Sequence, residues 1–327
     1  MSDTNMKIAY ASDDNYAHYM GISILSLFNC NKAADSIDVF VLDNGIKDEN
    51  KAKLQKIADD YGRRIILIPI DEYIAKLDLQ MGVRKISVVS YARLFLSTLL
   101  PEDCDRVIYL DCDTIICDDI SGMWNAELGD NPVAGVQDTV DSFFLGAIGL
   151  KKGTRYVNAG ILLMNIALWR REGYQERFLN FIKEHNGYVP HHDQGVINGV
   201  CGDKRVILPL RYNVFANVYS FTNRMIKRMY YLDDYYPQEE ILEARKNPAI
   251  IHFTTGLLGR PWEENCQHPL KDKYTEASNM SPWSDTALLP DRTKSSVRFT
   301  AFMRRIMPDG LFAGIYRLLS GVSHLRE

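Results

Sequence analysis

Residues Arg106–Asp119 read RVIYLDCDTIICDD, an apolar run that is interrupted by aspartates and then resumes. The run Val107–Leu110 ends at Asp111-Cys112-Asp113, which is typical of a buried strand closed by polar residues. Residues i and i+2 of a strand point to the same side, so the carboxylates of Asp111 and Asp113 should project together from its carboxyl end. In open α/β sheets that end is where ligands bind.

Two carboxylates placed together repel each other and lose hydration where they are partly buried, so they need a compensating cation at neutral pH. A hard divalent ion suits oxygen ligands. We therefore interpret Asp111 and Asp113 as part of a metal site for a phosphorylated ligand. A D-x-D sequence by itself is more often a polar strand end followed by a turn, and motifs elsewhere must decide between the two.

The composition limits the classes of protein that need to be considered. A chain of 327 residues with 46% hydrophobic residues can bury a large core. The net charge of -4 is uneven, because seven basic residues stand against two acidic ones from Arg292 onward. The acidic remainder argues against nucleic acid as the main partner, since duplex binding depends on basic contacts to phosphates.

The six cysteines form no C-x-x-C pair and no zinc-binding spacing, which favours free thiols in a reducing cytoplasm. The chain has no basic and apolar signal segment at its start and no apolar run of membrane-spanning length. We therefore expect a cytoplasmic protein that is neither exported by a standard signal nor integral to a membrane.

Strands alternate with helices along the chain, which predicts an α/β fold with a mostly parallel central sheet. Besides the strand before Asp111, the predicted strands are Lys7–Ser12, Asp38–Asp43, Arg64–Ile70, Val133–Val136, Tyr156–Ile166 and Ala249–Phe253. The predicted helices are Ala17–Phe28, Lys47–Tyr61, one with Ser90 as its N-cap, Trp169–His185 and His192–Val200. We expect a long loop over Asp138–Thr154 and a strand with a turn over Val206–Asn217.

Six motifs occur in a fixed order along the chain. They are YASDDNY at 10–16, SYAR at 90–93, YLDCD at 109–113, NAGILLMN at 158–165, HDQGVIN at 192–198, and IIHF at 250–253 with RPW at 260–262. Over roughly residues 6 to 285 this combination resembles glycosyltransferase family 8, and within it the bacterial lipopolysaccharide glycosyltransferases.

The resemblance implies a GT-A (Rossmann-like) catalytic domain over residues 1–290. It further implies retaining transfer of glucose or galactose from a UDP-hexose to a hydroxyl of a glycan or lipid-linked glycan acceptor. The implied cofactor is Mn²⁺, with Mg²⁺ as the alternative.

The resemblance also assigns roles to particular residues. The residues implied to bind the nucleoside are Ala11, Asp13, Asn15 and Tyr16. The implied metal ligands are Asp111, Asp113 and His252. The residues implied to contact the rest of the donor are Arg93, Cys112, Asn158, Ala159, Gly256 and Arg260. The implied catalytic residues are Gln194, Asp193 and Arg260, and Asp138 and Asp141 are further candidates for contacts with sugar hydroxyls.

These residues have ordinary structural interpretations as well. S-D-D-N before a helix is a common N-cap, and Asn158, Asp193 and Gln194 could cap the elements that they begin. A histidine at the end of an apolar strand, such as His252, is often a core residue, although imidazole also favours manganese as a third ligand. An amide is a poor nucleophile, so we do not expect Gln194 to attack the donor sugar. We expect front-face attack instead, in which the leaving phosphate accepts the proton of the acceptor.

The segment before Pro-Trp departs from the family pattern. The family usually has lysine where this chain has Arg260, and the spacer Thr254–Arg260 is longer than usual. We expect Arg260 to approach the diphosphate, with Gly256 and Gly259 supplying backbone amides.

Residues 291–327 predict a basic amphipathic helical tail, broken near Pro308. Such a tail could lie on the anionic inner face of the cell membrane, or it could pack against the body.

Two other functions remain open. A nucleotidyltransferase would need a basic, glycine-rich loop that YASDDNYAHY lacks, and a catalytically silent nucleotide-sugar-binding partner of another transferase would keep the ligand positions.

Overall fold

The computed structural model describes residues 4–73 and 88–324. The last residues of the predicted tail, Arg326 among them, lie outside this part of the chain. Within it the strands are β1 (Asn5–Asp13), β2 (Ser36–Asn44), β3 (Arg64–Pro69), β4 (Arg106–Leu110), β5 (Thr114–Ile116), β6 (Val133–Gln137), β7 (Val157–Asn165), β8 (Val206–Ile207), β9 (Val214–Phe215) and β10 (Ile250–His252).

The helices of the first half are α1 (Ala17–Cys30), α2 (Asp48–Tyr61), a 3₁₀ helix Val88–Phe95 continued by α3 (Leu96–Leu99), α4 (Ser121–Trp124), α5 (Phe143–Ala147) and α6 (Ile166–Arg171). Those of the second half are α7 (Tyr174–Glu184), α8 (His192–Cys201), a 3₁₀ turn Leu210–Tyr212, α9 (Ala216–Ser220), α10 (Asn223–Met229), α11 (Gln238–Lys246), α12 (Lys271–Asn279), α13 (Ser295–Ile306) and α14 (Asp309–His324).

The central sheet has seven strands in the order β3-β2-β1-β4-β7-β6-β8. All neighbouring pairs are parallel except the two made by β7, which runs antiparallel to β4 and β6. The predicted mostly parallel sheet is confirmed. Because β7 is reversed, its amino end lies at the same edge as the carboxyl ends of β1 and β4, so this edge collects residues from three strands.

A second sheet of three strands, in the order β5-β10-β9, lies next to this edge. β10 pairs antiparallel with β5, so that His252 stands opposite Thr114, one residue after Asp113. The backbone N–H of Phe253 donates to the carbonyl of Asp113 at 2.8 Å. This small sheet therefore brings a distant part of the chain to the end of β4.

Apolar side chains cover both faces of the central sheet. In β1 the side chains of Ile8 and Tyr10 enter one core cluster, while those of Ala9 and Ala11 enter the other, as the two-residue period of a strand requires. Helix α1 is buried around most of its circumference, and Trp283 packs directly on its backbone at Gly21. The central sheet is therefore buried on both of its faces.

Three predictions of local structure were wrong. Ser90 is not the N-cap of an α-helix but lies inside the 3₁₀ helix, where every side chain from Tyr91 to Leu96 is buried and packing determines the backbone. The helix predicted for Trp169–His185 is two helices, α6 and α7, separated by Gly173 with a φ of +64°. The segment Asp138–Thr154 contains the short helix α5.

The C-terminal tail forms helices α13 and α14, separated at Met307-Pro308. Helix α14 packs on α10, and its Phe312 and Ala313 are buried against the body. Phe299, Phe302, Ile306 and Leu311 are more than half exposed. Among the helices in the described ranges, none has the length and apolar character needed to span a bilayer.

Candidate active site

Three side chains that could hold a metal ion converge at the carboxyl edge of β4. His252 Nε2 lies 3.1 Å from Asp113 Oδ1 and 3.8 Å from Asp111 Oδ2. One ligand atom from each residue falls within 4.8 Å of the others. The structure thus brings together the two aspartates and the histidine that were predicted as ligands, and the donor set of two carboxylates and one imidazole fits a divalent transition ion.

The backbone of β7 leaves room for this cluster at Gly160. A Cβ atom at this position would lie 2.3 Å from His252 Cε1 and 2.6 Å from Asp111 Oδ2. The carbonyl of Gly160 accepts a hydrogen bond from the Asp111 N–H at 2.7 Å. A larger residue would therefore displace two of the three candidate ligands, which supports a site built to place them together.

The two carboxylates of the cluster have opposite electrostatic surroundings. Burial raises the pKa of Asp111; Arg93 opposes this effect, and the neighbouring carboxylate of Asp113 adds to it. Burial also disfavours ionisation of Asp113, but His252 and Arg260 outweigh it and hold the pKa of Asp113 below its usual value. Burial by itself favours the neutral ring of His252, yet the nearby carboxylates raise its pKa. A bound cation would relieve the repulsion between the two carboxylates.

Arg93 is buried and bridges two acidic residues of the site. Its guanidinium lies 2.8 Å from Asp111 Oδ1 and 3.0 Å from Asp193 Oδ2, donates to the carbonyl of Ala159, and stacks on the ring of Tyr109. Burial raises the pKa of the Asp193 carboxyl, and the ion pair with Arg93 opposes this. Arg93 therefore links the metal cluster to Asp193. Its contact with the donor stays a prediction.

A cleft of about 370 Å³ opens beside the carboxylates. Eight of the predicted donor-binding positions line it, namely Ala11, Asp13, Asn15, Tyr16, Arg93, Asp111, Cys112 and Asp113. The Cys112 thiol points back to β1 and donates to the carbonyl of Ala11 at 3.2 Å. The carboxylate of Asp13 also accepts from the Tyr16 N–H at 3.1 Å, so this residue stabilises the turn that shapes the cleft.

Arg260 closes the other side of the aspartate cluster. Its guanidinium donates to Asp113 Oδ2 and to the Tyr16 hydroxyl, both at 3.1 Å. The Glu263 carboxylate accepts a hydrogen bond from the Arg260 backbone N–H at 3.1 Å. Gly256 packs against Ala216, and in the described part of the chain the hydrogen bonds and ion pairs of the site do not include it.

A network of amides lies on the remaining side of the cluster. Gln194 Oε1 accepts from the Ala159 N–H at 2.8 Å, and Gln194 Nε2 donates to Asp138 Oδ2 at 3.0 Å. Asn158 Nδ2 donates to the same carboxylate oxygen at 2.9 Å. Asp138, a weaker candidate in the sequence, is thus central to the site. Asp141 accepts a hydrogen bond from the Phe143 N–H at the start of α5.

Comparison with known protein families identifies the family of this chain. The profile of Glycosyl transferase family 8 matches residues 7–266, which is most of the chain. The chain belongs to glycosyltransferase family 8. The expected family and GT-A fold are therefore confirmed, and the protein is an enzyme of the glycosyltransferase class.

Three proteins similar to this family 8 glycosyltransferase are matched over most of their own length. General stress protein A of Bacillus subtilis (strain 168) is 28% identical over 86% of this chain and 96% of its own. Lipopolysaccharide glucosyltransferase WaaO of Escherichia coli (strain K12) is 25% identical over 90% of this chain and 84% of its own. The crystal structure of galactosyltransferase LgtC with donor and acceptor sugar analogues superposes with a TM-score of 0.68 and 26% identity, over 85% of this chain and 96% of that one.

Two residues of this glycosyltransferase's site were missed in the sequence. Gly160 lies within the motif NAGILLMN, but its role depends on the side chains that face it across the sheet. Asn213 is fully buried and contacts both His252 and Asn158. It stands in RYNVF with no local pattern that marks it, so only the folded chain identifies it.

Proposed function

We propose that this glycosyltransferase is a retaining, metal-dependent hexosyltransferase that moves glucose or galactose from a UDP-sugar to a hydroxyl of a cell-surface glycan precursor. The observation that carries the proposal is the convergence of Asp111, Asp113 and His252 beside the cleft lined by Asp13 and Tyr16. The relatives include a lipopolysaccharide glucosyltransferase and a galactosyltransferase, which supports both hexoses as candidates.

The donor set favours Mn²⁺ over Mg²⁺, because an imidazole ligand suits a transition ion better than a hard alkaline-earth ion. When bound, the ion supplies Lewis-acid stabilisation to the departing diphosphate. Arg260, which contacts Asp113, would neutralise part of the charge that develops on the leaving group. Tyr16, which Arg260 also contacts, would stack its ring on the base of the nucleotide.

The surroundings of Gln194 and Asp193 favour front-face attack. The oxygen of Gln194 already accepts from the Ala159 N–H, and Asp193 is paired with Arg93, so neither is held as a free nucleophile. In the proposed reaction the acceptor oxygen bonds to the anomeric carbon on the face that the diphosphate leaves. The bond from that carbon to the phosphate oxygen breaks, and the phosphate takes the proton of the acceptor.

The surface of the tail fits an enzyme whose acceptor is linked to a lipid. The exposed apolar tail face, defined as Phe299, Phe302, Ile306 and Leu311, lies on helices that also carry Arg298, Arg304 and Arg305. Apolar side chains next to basic ones suit an anionic membrane on its cytoplasmic side, and Arg298 and Arg304 also form ion pairs with Asp291 and Asp309. We place the boundary between the catalytic domain and the tail near residue 290, just after the bridge between Glu263 and Leu289, although Phe312 and Ala313 of the tail pack into the main core.

A donor screen tests the proposed reaction. Full-length protein with Mn²⁺ should release UDP slowly from UDP-glucose or UDP-galactose without an acceptor, and faster with the correct glycan acceptor. NMR of the product should show the anomeric configuration of the donor. Inverted product would overturn the retaining assignment. No turnover of any UDP-sugar with any acceptor would favour the catalytically silent partner instead.

The metal assignment has its own test in Asp113→Asn. Removing one ligand charge should lower Mn²⁺-dependent UDP release by about 100-fold or more while the fold is kept, because the change opens no cavity. Asp118→Asn is a suitable control, since Asp118 is partly exposed and pairs with Arg211. Unchanged turnover in Asp113→Asn would contradict the metal site, and circular dichroism of both variants checks the fold.

A further inference from the structure

Asn213 is buried beside the candidate metal ligands and has no role in the proposal above. Its exposed fraction is 0%, and it lies between the 3₁₀ turn Leu210–Tyr212 and strand β9. Its Oδ1 atom lies 3.1 Å from His252 Nδ1, and its Nδ2 atom donates to Asn158 Oδ1 at 2.9 Å. A buried amide that uses both ends in this way can fix the orientation of its neighbours.

We propose that Asn213 is a positioning residue that sets the tautomer of His252, so that the ring keeps its proton on Nδ1 and leaves Nε2 as the nitrogen that would bind a cation held together with Asp111 and Asp113. The inference rests on the proposed metal-dependent function for its purpose. The tautomer itself is a property of the protein alone.

The direction of the hydrogen bonds follows from Asp138. Its carboxylate accepts hydrogen bonds from Asn158 Nδ2 at 2.9 Å, from Gln194 Nε2 at 3.0 Å and from the backbone N–H of Thr139 at 2.6 Å. A carboxylate only accepts, so Asn158 must turn its NH₂ group toward Asp138. Its oxygen then faces the other way, where the Gly160 N–H donates to it at 3.0 Å.

The same reasoning continues to the histidine. Because Asn158 presents an oxygen, Asn213 must turn its NH₂ group to it and is left with an oxygen toward His252. An amide oxygen only accepts, so His252 Nδ1 must carry a proton. In the neutral ring the lone pair is then on Nε2, which lies 3.1 Å from Asp113 Oδ1, so the Asp113 carboxylate is the acceptor that competes with Asn213 for the ring proton.

The arrangement connects the two halves of the active site. Asp138 holds Gln194 through one hydrogen bond and, through Asn158 and Asn213, orients the ligand atom of His252. Hydrogen bonds to the distal nitrogen of a metal-binding histidine typically change metal affinity by about 10- to 100-fold. We expect an effect of this size from loss of Asn213.

The tautomer is tested directly by NMR of protein labelled with ¹⁵N in the histidine rings, without metal and at a pH where His252 is neutral. In the wild type, His252 should show a protonated Nδ1 and an unprotonated Nε2. Asn213→Leu has a similar shape and no acceptor, so it should populate the other tautomer, with Nε2 donating to Asp113. Mn²⁺ affinity, measured by electron paramagnetic resonance, should fall about 10- to 100-fold.

Two further variants and a control complete the experiment. Asn213→Asp keeps an acceptor toward Nδ1 but loses the donor to Asn158, and it should still keep the ring proton on Nδ1. Asn213→Ala removes the same atoms if the leucine variant does not fold. Asn31 is another buried asparagine, at the end of α1, and its Oδ1 atom accepts a hydrogen bond from the Ile120 N–H. Asn31→Leu should leave the His252 signals unchanged.

A wild-type tautomer in Asn213→Leu or Asn213→Ala would overturn the inference, as would a changed tautomer in Asn213→Asp. If the wild type has the expected tautomer but does not bind Mn²⁺, the proposed metal dependence fails while the role of Asn213 in orienting His252 stands.

Discussion

At the scale of single residues, Arg260 joins the nucleotide cleft to the aspartate cluster through its contacts with Tyr16 and Asp113. We expect Arg260→Ala to lower kcat for UDP-sugar turnover by about 100-fold and to raise the donor KM less, because the charge that it neutralises develops mainly in the transition state. Steady-state kinetics over a range of donor concentrations measures both constants.

Arg260→Lys is the matched variant for this prediction. It keeps the positive charge but cannot reach Tyr16 and Asp113 with a planar fork, so its kcat should lie between those of the wild type and the alanine variant. An increase in KM alone in Arg260→Ala would make Arg260 a residue for donor binding. Unchanged constants would remove it from the site.

Gly160 is the second residue with a specific prediction. In Gly160→Ala the new Cβ would meet His252 Cε1 and Asp111 Oδ2, so the ligands must move apart. We expect loss of Mn²⁺ binding in isothermal titration calorimetry, and a decrease in the free energy of unfolding of about 1–3 kcal/mol from overpacking. Gly146→Ala is the control, since a Cβ there meets no atom within 4 Å. Wild-type metal binding by Gly160→Ala would show that the ligands do not depend on this close approach.

At the scale of elements, the two tail helices divide their apolar side chains between the body and the solvent. Phe312 stacks on Phe221 with ring centroids 6.0 Å apart and is 3% exposed. We expect Phe312→Ala to lower the free energy of unfolding by about 3 kcal/mol, because it leaves a cavity under α14. Urea unfolding measures this change. A negligible loss would mean that α14 is not part of the packed body.

The exposed apolar tail face gives the complementary prediction. Replacing Phe299, Phe302, Ile306 and Leu311 together by Gln should weaken binding of the full-length protein to anionic vesicles in a sedimentation assay. The change in unfolding free energy should stay within about 0.5 kcal/mol per site, since these side chains are largely exposed. High salt should weaken binding of the wild type by screening its basic residues. Equal vesicle binding by both proteins would exclude this face as the membrane contact.

At the scale of the whole molecule, a buried histidine makes folding sensitive to acid. His268 is 3% exposed between Tyr219 and Phe253, and burial lowers its pKa from 6.5 to about 4. The unfolded chain therefore takes up a proton near pH 6.5, but the folded protein does so only near pH 4. Stability should fall as the pH drops through this window, by about 3 kcal/mol in total from this residue.

Urea unfolding between pH 7 and pH 4.5 tests this prediction by comparison with His268→Gln. The variant should lose stability less steeply than the wild type, by up to about 1.4 kcal/mol per pH unit. The exposed His192, changed to Asn, is a control that should keep the wild-type slope. Parallel pH dependence of the wild type and His268→Gln would assign the acid sensitivity to other groups.

The local sequence was sufficient for most strands of the central sheet and for one half of the site, but not for the short elements between Ala216 and Asn279. The period of the apolar residues identified the strands from β1 to β4, because it depends on neighbours in the chain. Asp111 and Asp113 do lie together after β4, but in the turn between β4 and β5 and not on the strand itself, so the strand alternation that was expected to align them does not apply. The motif resemblance then supplied the fold family. The predicted helix boundaries were wrong where tertiary packing or a glycine overrode the apolar pattern, as in the 3₁₀ helix around Ser90 and the break at Gly173.

Only the tertiary structure decided how distant residues meet. The reversed direction of β7 places Asn158 and Gly160 at the edge where β1 and β4 end, and pairing of β10 with β5 places His252 against Asp113. Asn213 and Asp138 join the site only through hydrogen bonds between side chains from different strands and loops. Strand order and pairing depend on contacts across the whole core, so no local periodicity along the chain encodes the directed amide network that holds His252.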